Sequence, residues 1–271
     1  MNMARVTALT LPDADQIPSF ACAFATERSS RYCVVIPILN EGERIIGQLL
    51  AMKNAHLGLD TVVVDGGSTD GSTSPHRLRD ELGVGALLVK TGPGRLSAQL
   101  RIGMAWCLER GYAGIVTIDG NGKDDFRRIP DFAAKLDAGF DYIQGSRYAH
   151  GGVGENTPID RELAVRFIHA PLISLGAGLR YTDTTNGFRG FSHRLLLDPR
   201  VRPFRKVFDT YNLHYYLSVR APRLNFRVCE IPVSRRYPRS GPLPTKITHW
   251  NLKLHILKQT IVAACGGYNP R

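Results

Sequence analysis

The chain has 271 residues, enough to bury a sizeable core in one large domain or two small ones. Its 35 Lys and Arg residues outnumber its 24 Asp and Glu residues, and the resulting net charge of +11 favours anionic partners such as nucleotide phosphates, lipid headgroups or nucleic acid. Five widely spaced cysteines without a C-x-x-C pair argue against a disulfide framework or a thiolate zinc site and indicate a reducing compartment.

The ends of the chain carry no recognisable targeting signal. Residues 1–30 lack a basic start followed by an apolar run, and no uninterrupted apolar stretch reaches the roughly 18 residues that a membrane span needs. We therefore expect a cytoplasmic protein that is soluble or peripheral on the cytoplasmic membrane face. Composition divides the chain into a poorly ordered lead-in over 1–30, a main domain over 31–245, and a C-terminal amphipathic helix and tail over 246–271.

Short apolar runs that end in polar or glycine-rich turns alternate with amphipathic stretches. This alternation predicts an α/β fold with a mostly parallel central sheet and helices on both faces. The predicted strands are 32–37, 61–64, 86–89, 115–118, 142–144 and 226–233. The predicted helices begin after 41 and after 71, and cover 96–110, 129–138, 160–178, 207–219 and 246–264, while 182–189 is predicted to be a loop.

Polar residues follow the fourth of these strands directly. Asp119 lies where the strand stops, Asn121 is two residues further on, and Gly120 and Gly122 allow a tight turn that aims both oxygens at one point. Ligands bind at the carboxyl edge of such sheets. An Asp-x-Asn oxygen pair suits a hard divalent cation that holds a diphosphate, although surface turns often have the same composition.

A second acidic turn, at 65–71, follows the strand 61–64. Ser68 or Asp70 is predicted to cap the next helix there and to leave free backbone N–H groups above the sheet.

Six motifs in a fixed order resemble the family 2 inverting glycosyltransferases, and within them the polyprenol-phosphate (dolichol-phosphate mannose synthase-like) sugar transferases. The resemblance covers about residues 32–250 and implies a GT-A fold, a nucleotide-diphosphate sugar as donor and a polyprenyl phosphate as acceptor of the hexose. The motifs are VIPILNE at 35–41, VDGGSTDG at 64–71, TIDGN at 117–121, GSRY at 145–148 with glycines at 151–152, DTTNGFR at 183–189, and the basic tail 236–246.

The resemblance also implies roles for individual side chains on the donor side. Asp65 can accept hydrogen bonds from the base or ribose, although it could equally be a turn former, and Glu41 could merely suit the dipole of its helix. The donor-binding set is Pro37, Glu41, Asp65, Ser68, Lys123, Arg236 and Lys246.

Asp119 and Asn121 match the metal motif of the family with one departure. The second carboxylate is an amide, so the site loses a formal charge and should hold Mg²⁺ or Mn²⁺ more weakly. Lys123, where relatives often have Gln, cannot be a ligand while protonated but could meet the diphosphate as a fixed cation. Asp124 or Asp125 could fill the gap that the amide leaves.

Arg147 and Arg161 match positions at which the family holds the acceptor phosphate, and a planar guanidinium suits a pair of phosphate oxygens. Arg189 lies in a loop expected to face the same cleft and is assigned to the same phosphate. Asp119, Asp183 and Arg147 form the predicted catalytic set. A polyprenyl phosphate brings its own anionic oxygen and needs no general base. An alcohol acceptor would need a base, for which Asp183 is the first candidate and Asp209 the second.

The last predicted helix has an apolar stripe flanked by lysines. Such a helix is typical of a membrane interface, and the segment 163–179 could lie beside it, but the same spacing also fits a core helix or a homo-oligomer contact. The stripe comprises Trp250, Leu254, Leu257 and Ile261, and the lysines are Lys246, Lys253 and Lys258.

Two other functions remain open on the sequence. One keeps the donor and changes the acceptor to a saccharide or a small soluble molecule, which the missing span and the altered metal motif favour. The other is a nucleic-acid or anion-binding protein on an inactive transferase scaffold. The chain contains no recognised nucleic-acid module, so we expect no nucleic-acid partner.

Overall fold

The strands alternate with helices along most of the chain. A computed structural model describes residues 11–238 and 250–270. Its strands are β1 (Phe20–Ala25), β2 (Tyr32–Ile38), β3 (Asp60–Asp65), β4 (Ala86–Lys90), β5 (Gly114–Thr117), β6 (Tyr142–Ser146), β7 (Val153–Glu155), β8 (Arg189–Ser192), β9 (Val228–Pro232) and β10 (Ser234–Arg236). Its α-helices are α1 (Glu43–Asn54), α2 (Leu96–Glu109), α3 (Ile129–Asp137), α4 (Ile159–Ala164), α5 (Ala170–Ala177), α6 (His193–Leu197), α7 (Asn212–Arg223) and α8 (Trp250–Ala264).

Within these described ranges, one sheet of eight strands has the order β1-β4-β3-β2-β5-β8-β6-β9. Strands β4, β3, β2 and β5 are parallel, and so are β6 and β9. Strand β8 runs antiparallel between β5 and β6, and β1 runs antiparallel at the edge. The predicted mostly parallel sheet is therefore confirmed, with β8 as a reversed strand that was not predicted; only its first residue falls within the predicted loop 182–189.

Apolar side chains fill both faces of the sheet. All seven residues of β2 are buried, as expected for a central strand covered on both sides. Helices α1 and α3 pack on one face, through Ile45, Leu49 and Phe132 among others. Helices α2, α5, α7 and α8 contribute to the core on the other face. The result is a three-layer α/β/α arrangement.

The lead-in is partly ordered, contrary to the prediction for residues 1–30. Residues Phe20–Ala25 form β1, which pairs with β4 in the register Phe20↔Lys90 to Ala25↔Ala86. Leu11 is also buried in the core. The sequence did not predict this strand because an edge strand needs only backbone hydrogen bonds on one side, and most of its side chains are exposed.

Two predicted helix starts are wrong. Ser68 and Asp70 cap no helix after β3; Asp70 Oδ2 instead accepts a hydrogen bond from the backbone N–H of Gly42, which precedes α1. The helix predicted at 207–219 begins at Asn212 and continues to Arg223. In both cases a polar side chain stabilises a loop where the sequence suggested a helix.

The helical segment predicted at 160–178 forms α4 and α5, joined by a π-helical turn at Val165–His169. Helix α8 packs against α5 and α7 and buries Ile256, Thr260 and Ala263. Most of its predicted apolar stripe is exposed to solvent, namely Trp250, Leu254 and Ile261. No helix in the described part of the chain has both the length and the apolar character needed to cross a membrane.

Candidate active site

Three residues predicted to share one edge of the sheet do so. Asp65 is the last residue of β3, Asp119 follows β5 by two residues, and Arg147 follows β6 directly. Since β3, β5 and β6 run in the same direction, their carboxyl ends meet at the same edge.

An arginine that the sequence analysis assigned no role lies at the centre of this edge. Arg235 Nη2 donates to Asp119 Oδ2 over 2.9 Å, and Arg235 Nη1 donates to Asp124 Oδ2. Asp124 and Arg235 are buried, whereas the Asp119 side chain is 26% exposed. Burial raises the pKa of Asp119, but the charges of Arg235 and Lys123 outweigh burial and hold this pKa below its usual value.

The main chain fixes Arg235 in this position. Asp124 and Arg235 form an antiparallel bridge, the N–H of Asp125 donates to the carbonyl of Ser234 over 3.0 Å, and the N–H of Arg236 donates to the carbonyl of Lys123 over 2.8 Å. Strand β10 also pairs in parallel with β7. The guanidinium is therefore presented by ordered backbone and not only by its own ion pairs.

Lys123 adds a second cation to this cluster. Its side chain is buried, and Nζ lies 4.9 Å from the ring centroid of Tyr237. Burial lowers the pKa of Lys123 to about 8; Arg235 acts in the same direction and Asp119 opposes it. Lys123 is therefore a buried residue of the site and not a solvated turn residue.

Asp119 and Asn121, the predicted Mg²⁺ or Mn²⁺ ligands, are not arranged as a metal site. Asp119 Oδ2 accepts from both Arg235 and Asn121 Nδ2, and Asn121 Oδ1 accepts from the backbone N–H of Lys123. Across residues 11–238 and 250–270, no group of three or more His, Cys, Asp or Glu side chains could hold a metal ion. A dication about 4 Å from the Arg235 guanidinium would be repelled by roughly 8 kcal/mol at an effective dielectric constant of about 20, which cancels the attraction of one carboxylate at the same distance.

Neither acidic neighbour supplies the missing ligand. Asp124 Oδ2 is held by Arg235, while Asp124 Oδ1 is buried without a hydrogen-bond partner among the described residues. Asp125 Oδ1 accepts from the backbone and side chain of Arg127 at the start of a 3-10 helix. The residues present at this edge therefore do not fit a divalent ion in the arrangement that the structure has.

Arg147 and Asp183 form a buried ion pair. Arg147 Nε and Nη2 donate to the two oxygens of Asp183 over 2.6 and 3.0 Å, and Nη2 also donates to Thr185 Oγ1. The backbone N–H groups of Arg147 and Thr185 donate to the same carboxylate. Burial raises the pKa of Asp183, but the Arg147 guanidinium outweighs burial and holds this pKa below its usual value.

This environment corrects the prediction of Asp183 as a general base. The carboxylate is fully buried and saturated with donors, and a group with a lowered pKa is a weak proton acceptor. Asp183 is better described as the residue that orients Arg147.

The loop that carries Asp183 lies against Asp119. A Cβ atom on Gly187 would be 2.7 Å from Asp119 Oδ1, so only glycine permits this approach. The acidic turn after β5 and the loop before β8 consequently form one continuous wall.

Arg189 does not face the cleft, and its predicted contact with the acceptor phosphate is wrong. The side chain is fully buried and donates to the carbonyls of Thr184, Asn186 and His214 and to the hydroxyl of Tyr142. It lies at the start of β8, where it ties the loop to helix α7. The guanidinium acts as a structural brace.

The other predicted cations have different positions. Burial raises the pKa of Tyr237, but Arg235, Lys123 and Arg147, with a smaller contribution from Arg161 in α4, outweigh burial and lower this pKa. Arg236 is exposed and pairs with Glu155, so the structure brings its neighbour Arg235 to the cluster instead. Lys246 lies outside the described residues.

The predicted donor wall is built around Asp65. Its Oδ1 accepts from the N–H groups of Gly67 and Ser68 and from Ser68 Oγ, which itself accepts from the N–H of Asn40. These bonds tie the turn after β3 to the turn after β2. Asp65 thus stabilises the turn that follows it, at the carboxyl edge of the sheet. Its contact with a donor stays a prediction.

The structure also gives positions for Pro37 and Glu41, which were predicted to bind the donor, and for Asp209. Pro37 is buried within β2 opposite Val64, and Glu41 lies 3.4 Å from the Arg44 guanidinium. Asp209, the second candidate base, is exposed and accepts from the N–H of Arg95, so it braces its loop.

The sequence analysis missed two residues of this site. Arg235 and Arg236 are adjacent on a strand, so only one of them can face the cleft, and sequence alone does not say which. His214, in α7, is buried, and its Nε2 has no hydrogen-bond partner among the residues that the structure describes. Burial lowers the pKa of His214 well below its usual value; Arg189 acts in the same direction and Asp119 opposes it.

The chain has a GT-A-like α/β fold, with carboxylates and buried cations gathered at the carboxyl edge of its mostly parallel sheet. The chain belongs to Glycosyl transferase family 2, whose family model matches residues 33–198. The predicted family and enzyme class are confirmed.

Curated relatives are similar to this chain over most of their length. Polyprenol monophosphomannose synthase from Mycolicibacterium smegmatis is 28% identical over 212 residues, which cover 76% of this chain and 77% of that protein. Undecaprenyl-phosphate mannosyltransferase from Micrococcus luteus is 27% identical over 206 residues, which cover 75% of this chain and 83% of that protein.

Solved structures support the fold. Glucosyl-3-phosphoglycerate synthase from Mycobacterium tuberculosis matches with a TM-score of 0.60 at 19% identity, covering 90% of this chain and 82% of that one. The same protein in complex with Mn²⁺, uridine diphosphate and glucosyl-3-phosphoglycerate matches with a TM-score of 0.57 at 17% identity, covering 90% and 81%. Divalent metal therefore occurs in a structural neighbour of this chain.

Proposed function

We propose that this chain transfers a hexose from a nucleotide-diphosphate sugar to a polyprenyl phosphate with inversion at the anomeric carbon. The observation that carries the proposal is a cluster of buried cations and carboxylates at the carboxyl edge of the sheet, beside helices whose apolar side chains are exposed. The names of the curated relatives, a polyprenol monophosphomannose synthase and an undecaprenyl-phosphate mannosyltransferase, support the acceptor class.

The donor end of the cleft is the cluster of Asp119, Lys123 and Arg235. Two buried cations beside the turn after β5 suit a diphosphate, because charge interactions are stronger away from bulk water. The turn after β3, shaped by Asp65, lies along the same edge and would meet the nucleoside.

The acceptor end is the side of the cleft formed by Arg147 and Arg161. An acceptor phosphate oxygen held there attacks the anomeric carbon from the face opposite the diphosphate. The new bond forms as the bond to the diphosphate oxygen breaks, and the configuration inverts. No proton has to be removed from the acceptor, which agrees with the fully engaged state of Asp183.

The apolar surface beside this end suits a lipid. Ile159, Phe167, Leu175 and Trp250 are each between 69% and 79% exposed, on helices α4, α5 and α8 and the turn between α4 and α5. Helices α5 and α8 are in contact, and α4 carries Arg161 next to Tyr237. We therefore assign this surface to the cytoplasmic face of a membrane, from which the polyprenyl phosphate would enter the cleft.

Binding to lipid vesicles tests this surface. The double variant Phe167→Ser/Leu175→Ser is expected to bind vesicles of phosphatidylglycerol and phosphatidylcholine about tenfold or more weakly than the wild type in a sedimentation assay, since two large apolar contacts are lost. Leu50→Ser, on α1 at the other face of the sheet, is the matched control and should bind normally. Equal binding by the double variant and the wild type would contradict the assignment.

Transfer of label tests the reaction itself. The protein is incubated with radiolabelled nucleotide sugars, with and without undecaprenyl phosphate, and the products are partitioned into butanol. We expect butanol-extractable label only when the lipid phosphate is present. Label that appears instead on a saccharide or a small soluble acceptor would support the alternative acceptor, and turnover of no donor would remove the proposal altogether.

A further inference from the structure

We propose that Arg235, with Lys123 beside it, takes the place of a divalent cation at the donor diphosphate, so that this chain binds its donor without Mg²⁺ or Mn²⁺. The inference rests on the proposed function and concerns the same cleft. It starts from the disagreement between the predicted metal ligands and the residues that surround them.

The guanidinium lies where two carboxylates converge. It bridges Asp119, on the turn after β5, and Asp124, five residues further along the same turn. A metal ion in a diphosphate site performs the same bridging task, since it is held by carboxylates and neutralises phosphate oxygens. Here the Arg235 side chain already bridges both carboxylates, and Lys123 supplies a second positive charge beside them.

The backbone makes this placement a property of the fold. The bridge between Asp124 and Arg235 and the bond from the Arg236 N–H to the Lys123 carbonyl bring β10 alongside the turn. Lys123 and Arg235 both approach the ring of Tyr237, at 4.9 and 5.9 Å from its centroid. Two cations are thus preorganised on one side of the cleft.

Positive charge is needed at the step in which the nucleoside diphosphate leaves. When the bond from the anomeric carbon to the diphosphate oxygen breaks, its electron pair stays with the leaving nucleoside diphosphate, which gains a negative charge. A guanidinium offers five N–H donors in a planar fork that matches phosphate oxygens, and an ammonium adds a point charge. Arg235 and Lys123 can therefore stabilise the leaving group directly.

Measurements of nucleotide binding distinguish a role of Arg235 at the diphosphate from a purely structural role. Binding of UDP and of GDP to the full-length protein is measured by calorimetry in EDTA and in Mg²⁺. For the nucleotide that binds, we expect wild-type affinity to change less than about threefold between the two conditions. Arg235→Met should weaken binding in EDTA by about tenfold to 100-fold, as expected for the loss of a charge-assisted hydrogen bond.

The same variant gives a second readout. With the guanidinium gone, Asp119 and Asp124 lose the cation that bridges them and only Lys123 remains, so Mg²⁺ or Mn²⁺ should restore part of the affinity of Arg235→Met. Arg235→Lys, which keeps the charge and loses the fork, should be intermediate. Arg31→Met, from an arginine–aspartate pair at the opposite edge of the sheet, is the control and should bind like the wild type.

Three results would overturn the inference. Wild-type affinity that falls at least about tenfold in EDTA would show a required metal, whether or not the variants fold. Folded Arg235→Met that binds as tightly as the wild type in EDTA would leave Arg235 a structural residue. Binding of neither UDP nor GDP under any condition would defeat the proposed donor class, and this outcome is distinct from a metal-dependent wild type.

Discussion

Replacing Asp183 by asparagine is expected to lower the free energy of unfolding by about 3 to 5 kcal/mol, the range found when one partner of a buried ion pair is removed. The change keeps the size and shape of the side chain. It leaves the Arg147 guanidinium buried without its counter-ion, and it replaces one of the two acceptor oxygens by an NH2 donor, so one of the two backbone N–H groups that donate to Asp183 loses its acceptor.

Urea denaturation followed by circular dichroism measures this effect. Asp131→Asn is the matched control, because Asp131 pairs with Arg128 at a distance of 2.9 Å but both side chains are largely exposed. Exposed pairs contribute little, so the control should change the free energy of unfolding by no more than about 1 kcal/mol. Equal effects of the two substitutions would mean that the buried pair does not hold the cleft together.

The same pair predicts a pH dependence with a definite sign. The pKa of Asp183 is lower in the folded protein than its ordinary value of 3.8, so the unfolded chain binds a proton first as the pH falls. The contribution of Asp183 is therefore fully present above about pH 4 and is lost as the pH falls through the folded value. The stability difference between the wild type and Asp183→Asn should shrink correspondingly in acid.

Replacing Asp119 by asparagine is expected to lower the transfer rate by about 100-fold to 1000-fold, the range for the loss of one preorganised hydrogen-bond donor, because the Arg235 guanidinium would lose the carboxylate that orients it. Asp119 holds Arg235 over 2.9 Å, and the amide would lose this ion pair while it keeps the shape of the turn. The cation beside the diphosphate would then be poorly oriented.

The butanol partition assay measures this loss, and vesicle sedimentation serves as a check that the variant still reaches the membrane. Asp137→Asn, which disrupts an exposed pair with Arg31 at the other edge of the sheet, should keep wild-type transfer. Transfer by Asp119→Asn within about threefold of the wild type would exclude Asp119 from the reaction.

Much of the framework could be predicted from the sequence because it depends on local patterns. Buried parallel strands are continuous apolar runs, and their ends are marked by polar turns, so Asp65, Asp119 and Arg147 were assigned to the correct edge. The strand β1 escaped prediction because its stability comes from pairing with β4, which is distant in sequence.

The arginines show where sequence reasoning stops. Arg189 and Arg235 both lie in short strands next to loops that match family motifs, yet one is a buried brace and the other faces the cleft. The distinction depends on which face of each strand meets the sheet edge, and that is set by pairing between segments far apart in the chain. For the same reason the sequence indicated Arg236 when the fold presents Arg235.

The most direct test of the account is a crystal structure of the protein with bound UDP or GDP. The account predicts that diphosphate oxygens lie within about 4 Å of the Arg235 or Lys123 nitrogens, above the carboxyl ends of β3 and β5. A hollow of about 360 Å³ lined by Arg31, Phe140 and Arg227 lies on the opposite side, where β2 begins. A nucleotide bound there, with the Asp119 cluster untouched, would contradict the central claim.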